Sequence, residues 1–138
     1  VDVVGLGAGT IDTLQDMKIS AIAYNSGAAP SEIGPNPYSK YKNRRAEAHW
    51  QLREDILDQE LMVIDDPDFV KEATNINYKI DEKVLQIEAK DSFKKRMGFS
   101  PDVLDAAVMV NYARRNSSAT SFAGYSELMG KKSRRVEF

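Results

Sequence analysis

The helical segment that begins at Ser100-Pro101-Asp102 constrains the fold more than any other part of the sequence. Serine is a favoured N-cap, proline fits the first helical position, and an acid suits the first turn. From Val103 to Val110 the segment is apolar on nearly every face of a helix. Since a helix that is apolar all round must be covered by other elements, we predict that it packs against a sheet.

The preceding sequence alternates between strand-like and helical patterns. In the first half of the chain we predict a strand at 1–5, a helix at 10–17 with Thr10 as its N-cap, a strand at 19–24 and a loop at 25–37. The longest helix follows at 39–57, and then a brief strand at 61–64. In the second half we predict a helix that starts at Asp66-Pro67, a hairpin of 77–80 and 84–88, and a helix at 90–97 that ends at Gly98.

The chain of 138 residues has room for one domain with a core, which we place at 1–115. Beyond Arg115 the sequence turns small and polar and then basic, so we predict a tail at 116–138. No apolar run approaches the roughly 20 residues that cross a bilayer, so we expect no membrane association.

Cysteine is absent and His49 is the only histidine. Disulfides and thiolate-bound zinc are therefore excluded, and a Ser-His-Asp triad is difficult to build. A metal site in this chain would have to use carboxylate oxygens, which favours Mg²⁺ or Mn²⁺. His49 and Trp50 lie in the apolar stripe of the long helix, where we expect them to be packing residues.

The glycine-rich segment GLGAGT at 5–10 invites a nucleotide-binding interpretation. The dinucleotide fingerprint G-x-G-x-x-G would need glycine at Thr10, and no acid closes the strand predicted next. A G-x-x-x-x-G-K-[ST] stretch is also absent from the sequence. The turn therefore does not predict a nucleotide site.

Asp102 and Asp105 are three residues apart, so their side chains share one face of the helix in its first turn. Two acids at the edge of a buried region repel each other unless they share a cation. The structural alternative is that Asp102 stabilises the helix dipole and Asp105 is an exposed neighbour. Asp2 lies in an apolar strand next to a tight turn, where active-site acids often occur, or it is a partly exposed residue at the chain start.

The net charge of −2 does not suggest a nucleic-acid binder, but basic residues are clustered. Such clusters can bind phosphates, although solvated surface stretches are an equally simple explanation. The clusters are Lys40, Lys42, Arg44 and Arg45; Lys94, Lys95 and Arg96; and Lys131, Lys132, Arg134 and Arg135.

Three segments together resemble the nuclease domain of tailed-phage large terminase subunits. They are DVVGLGAGTIDTL at 2–14, NRRAEAHWQLRE at 43–54 and IEAKDSFKKRMGFSPDVLDAA at 87–107. In that family an aspartate before a Gly-rich turn, an N-x-R-A-E-x-x-W helix and an S-P-D-x-x-D-A helix start recur in this order with similar separations. The resemblance covers roughly 1–112.

The resemblance implies an α/β, ribonuclease-H-like fold with a mixed sheet flanked by helices. It implies that acids bind two Mg²⁺ or Mn²⁺ ions and that duplex DNA is cut during genome packaging in the host cytoplasm. Asp2 matches the family's second metal-binding acid, Asp102 the third, and Asp105 an accompanying acid. Partners in the full protein would be the portal and the small terminase subunit, and Lys94, Lys95 and Arg96 would guide DNA to the metals.

One departure limits this reading. The strands that carry the family's first catalytic aspartate are expected before Val1, so the chain resembles a fragment that alone cleaves DNA poorly or not at all. Two alternatives stay open: a Holliday-junction resolvase-like nuclease, and an interaction module of the same fold that has lost its metals.

Overall fold

The computed structural model describes residues 1–3, 7–31, 34, 40–63 and 65–117. Within these ranges the chain forms α1 (Gly7–Asp16), β1 (Lys40–Tyr41), α2 (Arg44–Leu57), α3 (Pro67–Asn75), β2 (Tyr78–Asp81), β3 (Val84–Ile87), α4 (Lys90–Met97) and α5 (Asp102–Asn116). Nearly all of the tail predicted at 116–138 lies outside the described residues. No helix in the described ranges is both long and apolar enough to cross a membrane.

The sheet is mixed, as expected from the sequence. Its strand order is β1-β3-β2, with β1 parallel to β3 and β2 antiparallel to it. The predicted hairpin is confirmed, with Ile80 opposite Leu85. A separate parallel bridge joins Asp2 to Tyr24, so the strand predicted at 19–24 is reduced to one bridging residue.

Helix α2 joins the two parts of the core. On one side of α2, Ala46 packs against Tyr41 of β1 and Leu85 of β3, and Trp50 of α2 lies half-buried against this cluster. Its other side presents Leu52 and its neighbours to the larger cluster, which contains Tyr24, Ala48, Leu52, Phe69, Leu104, Val108 and Tyr112. The long helix begins at Arg44 rather than 39 because Asn43 caps it, its side chain accepting a hydrogen bond from Ala46 N at 3.0 Å.

Helix α5 packs against α2 and α3, not on the three-stranded sheet as predicted. Leu104 and Val108 are buried in the larger cluster, whereas Val110 on the outer face is 71% exposed. The buried carboxylate of Glu72 in α3 accepts a hydrogen bond from Leu104 N at 2.7 Å. A side chain from another helix therefore caps α5, which has no side-chain bond at its own N-cap.

Several local predictions need correction. Thr10 lies inside α1, because the helix already starts at Gly7. Gly7 packs on the carbonyl group of Asp2 so closely that a Cβ atom would collide with it, which explains why glycine is required there. Residues 61–63 form no strand, and Ile64 lies outside the described residues.

Other local predictions are confirmed. Asp66 caps α3, its Oδ1 accepting a hydrogen bond from Phe69 N at 2.9 Å. Gly98 ends α4 with a φ of 81°, a left-handed conformation that glycine adopts without strain.

Asp55 connects the carboxyl-terminal parts of α2 and α5. Its carboxylate is 2% exposed and accepts hydrogen bonds from Asn111 Nδ2 at 2.7 Å, Arg114 Nη2 at 2.7 Å and Arg115 Nη2 at 2.8 Å. Burial acts to raise the pKa of Asp55, but the hydrogen bonds and the two positive charges outweigh it and lower the pKa.

We expect Asp55→Ala to lower the free energy of unfolding by about 3 to 5 kcal/mol, because the variant leaves the amide and guanidinium groups without their acceptor. Urea unfolding measures this loss. Asp58→Ala is the control, since in the described part of the chain the exposed Asp58 side chain makes no ion pair. A loss no larger than that of the control would contradict the assignment.

The same contact has a pH dependence with a defined sign. Because the folded pKa of Asp55 is lowered, its stabilisation is present above the unfolded pKa of about 3.9 and is lost as the pH falls below it. The stability difference between wild type and Asp55→Ala should therefore be constant from pH 7 to 5 and shrink below about pH 4.

Candidate metal centre

Asp102 and Asp105 occupy the first turn of α5, but their side chains differ in exposure. The Asp102 side chain is 71% exposed, whereas that of Asp105 is 16% exposed. Asp105 is therefore not the exposed neighbour of the structural alternative, whereas the part of that alternative in which Asp102 stabilises the helix dipole stays a prediction. The packing of Leu104 and Val108 turns the Asp105 side of α5 towards α2.

Both carboxylate oxygens of Asp105 bind cations. Arg45 Nη1 donates to Oδ1 at 2.7 Å, and Lys90 Nζ lies 3.0 Å from Oδ2. Arg45 is in the first turn of α2, just after β1, and Lys90 begins α4, just after β3. Since β1 and β3 are parallel, their carboxyl ends lie at one edge of the sheet. Arg45 and Lys90, which follow these ends, therefore contact the same acid.

Asp102 shares the cation of Lys90. Lys90 Nζ donates to Asp102 Oδ1 at 2.8 Å, and Ser100 Oγ donates to the same oxygen at 2.9 Å. These hydrogen bonds, from Lys90 first, hold the pKa of Asp102 below its usual range. Burial acts to lower the pKa of Lys90, but its bonds to the two carboxylates outweigh it and raise the pKa.

Asp2 approaches the same region through Tyr24. The Asp2–Tyr24 bridge places the tyrosine next to the chain start, and its ring packs edge-on against Tyr112 at 5.0 Å. Burial raises the pKa of the Tyr24 hydroxyl to about 12, opposed by the charge of Arg45 and aided by those of Asp105 and Asp2. Asp2 and Asp105 are thus close enough to act electrostatically on one hydroxyl group.

His49 lies behind Asp105, buried as the sequence predicted for a packing residue. Its Nδ1 lies 2.8 Å from the carbonyl oxygen of Arg45, which can only accept, so Nδ1 carries the proton. Burial, together with the charge of Arg45, lowers the pKa of His49 to about 4, and the ring is neutral at pH 7. Its unprotonated Nε2 then faces Asp105 Oδ1 at 3.7 Å.

The surroundings of Asp105 contain buried polar atoms without hydrogen-bond partners among the described residues. They are Tyr24 Oη, Arg45 Nε, Arg45 Nη2 and His49 Nε2. Such atoms are costly in a domain core and are concentrated at functional sites. Here they gather behind one acid, so this region differs from the apolar core beside it.

The arrangement fits a cation at Asp102 and Asp105, because one ammonium group already binds both carboxylates. It does not assemble three acids around one position. In the described part of the chain no group of three or more His, Asp or Glu side chains lies close enough to hold a metal ion. Asp2 is therefore near the pair but not grouped with it.

The predicted DNA-binding residues of α4 separate into two kinds. Arg96 is engaged with Glu88, its Nη2 lying 2.6 Å from Glu88 Oε2, and it also donates to the carbonyl of Asn75 at 2.6 Å. Lys94 and Lys95 are exposed. Their role in DNA binding stays a prediction.

Sequence reasoning missed Lys90 and Tyr24 and placed Arg45 in a surface cluster. A lysine twelve residues before Asp102 gives no local signal, since its contact with the acid depends on the turn at Gly98. For Arg45 a signal existed, because it lies in the segment NRRAEAHW that carries the family resemblance.

The solved structures that match this chain include nuclease domains of one phage protein. The nuclease domain of the large terminase subunit gp2 of bacterial virus Sf6 matches with a TM-score of 0.57 and 21% identity over 80% of this chain and 62% of that chain. Its K428A mutant with manganese matches with a TM-score of 0.58 and 20% identity over 80% and 63%. The K428A mutant gp2c with calcium gives 0.58 and 20% over 80% and 62%.

No protein-family model matches the chain, and no curated protein sequence does. The chain spans less than two thirds of the length of the solved structures that it matches. The likeness establishes architecture, a mixed sheet flanked by helices in the arrangement of those domains. The chain therefore has the ribonuclease-H-like fold of terminase nuclease domains.

Proposed function

We propose that this chain is part of the nuclease domain of a tailed-phage large terminase, a metal-dependent endonuclease that cuts concatemeric DNA during genome packaging. The observation that carries the proposal is the sharing of one cation, the Lys90 ammonium, by Asp102 and Asp105 at the start of α5. The fold and the three ordered sequence segments support it, and so do the manganese and calcium present in similar structures.

Asp102 and Asp105 would hold Mg²⁺ or Mn²⁺, and Asp2 would complete the site as a third acid. Hard divalent cations prefer such oxygen ligands and keep positions open for water and phosphate. When bound, two such ions supply an activated water and stabilise the entering and leaving oxygens of the phosphodiester. Within our proposal, Asp2 reaches the pair from the Tyr24 side, where its charge already acts.

Arg45 and Ser100 orient the two acids, and Lys90 compensates their charge. Arg45 fixes Oδ1 of Asp105 through a 2.7 Å bond in a mostly buried setting, so this carboxylate has one defined orientation. Ser100 orients Asp102. Lys90 compensates the mutual repulsion of the two carboxylates, and a divalent ion has to displace it from their shared side.

Duplex DNA would be the substrate, and the portal and small terminase subunit would be partners of the full protein in the host cytoplasm. The exposed Lys94 and Lys95 would lie along the DNA path, and Arg96 would contribute while paired with Glu88. A resolvase-like nuclease of the same fold would prefer four-way junctions to linear duplex, so cleavage of both substrates separates these functions.

We expect wild-type chain to bind Mn²⁺ and the double variant Asp102→Ala plus Asp105→Ala to lose that binding, since the cation ligands are removed. Isothermal titration calorimetry measures the difference. Asp91→Ala plus Asp68→Ala is the matched control, because it removes two exposed acids from the first turns of α4 and α3. Equal Mn²⁺ binding by wild type and the α5 variant would favour the interaction module without metals.

We further expect Lys90→Ala to bind Mn²⁺ about tenfold more tightly, because the metal no longer displaces two part-exposed ion pairs worth up to about 1 kcal/mol each. The same titration tests it. Lys95→Ala removes an exposed lysine from the same helix and should bind as wild type does. Unchanged affinity in Lys90→Ala would mean that the metal binds elsewhere.

A further inference from the structure

We infer that the solvent-facing side of the three-stranded sheet is a binding surface for the phosphate backbone of duplex DNA, with Lys42 and Lys79 as its main contacts. This inference rests on the proposed function, because it assigns the path along which the substrate reaches the acids. We call the set Lys42, Gln86 and Lys79 the lysine row.

The register of the sheet defines the row. Lys79 in β2 lies opposite Gln86 in β3, and Lys42 follows β1, its amide donating to the carbonyl of Leu85 at 2.9 Å. The Lys42 ammonium donates to Gln86 Oε1 at 3.1 Å, so both side chains are on one face. Neighbouring strands are about 4.8 Å apart, so the two lysines stand roughly 10 Å from each other.

On the opposite face of β1 and β3, the central side chains are covered by α2. Tyr41 and Leu85 are 5% and 0% exposed and pack with Ala46 of α2. Because side chains alternate along a strand, the burial of these residues turns Lys40, Lys42 and Gln86 to the other side. The core therefore forces the lysines into solvent on one flat surface.

A groove of about 360 Å³ runs along the row to the start of α4. Its lining includes Lys42, Lys79, Gln86, Asn77, Ala89 and Ser92. Ala89 is the N-cap of α4 and makes no side-chain cap bond, and Lys90 comes next. Lys90 contacts both Asp102 and Asp105, so the α4 end of the groove is one residue along the chain from the lysine of the candidate metal centre.

The charges along the sheet face are polarised. At the hairpin turn the acids Asp81 and Glu82 are balanced by Lys83 and by Lys40, which pairs with Val84 on the same face as the row. Glu88 at the other end of the groove is neutralised by Arg96, whose Nη2 lies 2.6 Å from Oε2. The net positive charge of the face therefore lies on Lys42 and Lys79 and not at the turn, and it attracts a phosphate backbone to the row.

This arrangement gives Arg96 a different role from the one predicted from the sequence. Its guanidinium is held by Glu88 and the carbonyl of Asn75, so its contribution is to cancel a negative charge at the groove. Lys42 and Lys79 become the residues that contact phosphates directly, ahead of Lys94 and Lys95.

The test compares duplex-DNA binding by fluorescence anisotropy, in EDTA and over a range of salt concentrations. For Lys42→Glu plus Lys79→Glu we expect affinity to fall at least about tenfold at low salt, and the slope of log K against log salt to fall by about 2, one for each lost phosphate contact. Lys42→Gln plus Lys79→Gln should show the same slope change with a smaller loss, and it serves if charge reversal impairs folding.

Two further double variants complete the comparison. Lys18→Glu plus Lys71→Glu makes the same charge change outside the groove and should reduce affinity much less than the row variant. Lys94→Glu plus Lys95→Glu tests the DNA contacts of α4 that were predicted from the sequence. A loss there equal to or larger than that of the row variant would move the footprint to α4 and overturn the inference, as would wild-type binding by the row variants.

Failure of the inference is distinguishable from failure of the proposed function. If wild type binds Mn²⁺ through Asp102 and Asp105 and binds duplex DNA, but the row variants keep the salt slope, only the row is wrong. If the row variants lose DNA binding while Mn²⁺ binding does not depend on the two acids, the row stands and the nuclease proposal fails. Absence of duplex binding by the wild-type chain at low salt contradicts the inference that the lysine row binds DNA.

Discussion

The ion pair between Arg45 and Asp105 is the contact on which the candidate site depends. Its 2.7 Å bond joins α2 to α5 between side chains that are each 16% exposed, so water screens it less than a surface pair. The parallel strands β1 and β3 bring Arg45 and Lys90 to the same edge, and α5 supplies the acid that receives both. Sheet, α2, α4 and α5 therefore converge on one carboxylate.

This convergence places several polar atoms in a buried setting beside the apolar core. Tyr24 Oη, His49 Nε2 and two nitrogens of Arg45 are buried without hydrogen-bond partners among the described residues, and each such group costs about 1 to 3 kcal/mol. The adjacent cluster around Leu52, Leu104 and Val108 is apolar and tightly covered. The fold thus maintains a polar region beside its core, an arrangement typical of functional sites and not of packing alone.

Local patterns predicted most of the helices and the hairpin. Asp66-Pro67, Gly98 and the alternation around 84–87 were readable because caps, left-handed glycine and strand periodicity act over a few residues. The errors arose where tertiary contacts override local preference. Thr10 looks like an N-cap, yet α1 already begins at Gly7, which packs against the backbone of Asp2. Helix α5 looked suited to a sheet, yet two helices cover it.

By itself the sequence determined that Asp102 and Asp105 lie one turn apart at a helix start, because helical periodicity is a local property. It also limited any metal ligands to carboxylates and one histidine. Only the tertiary structure decided that Asp105 is the enclosed acid and Asp102 the exposed one, and that Lys90 bridges them. Arg45 is 60 positions from Asp105, and which side chains meet over such a separation depends on how the whole core packs.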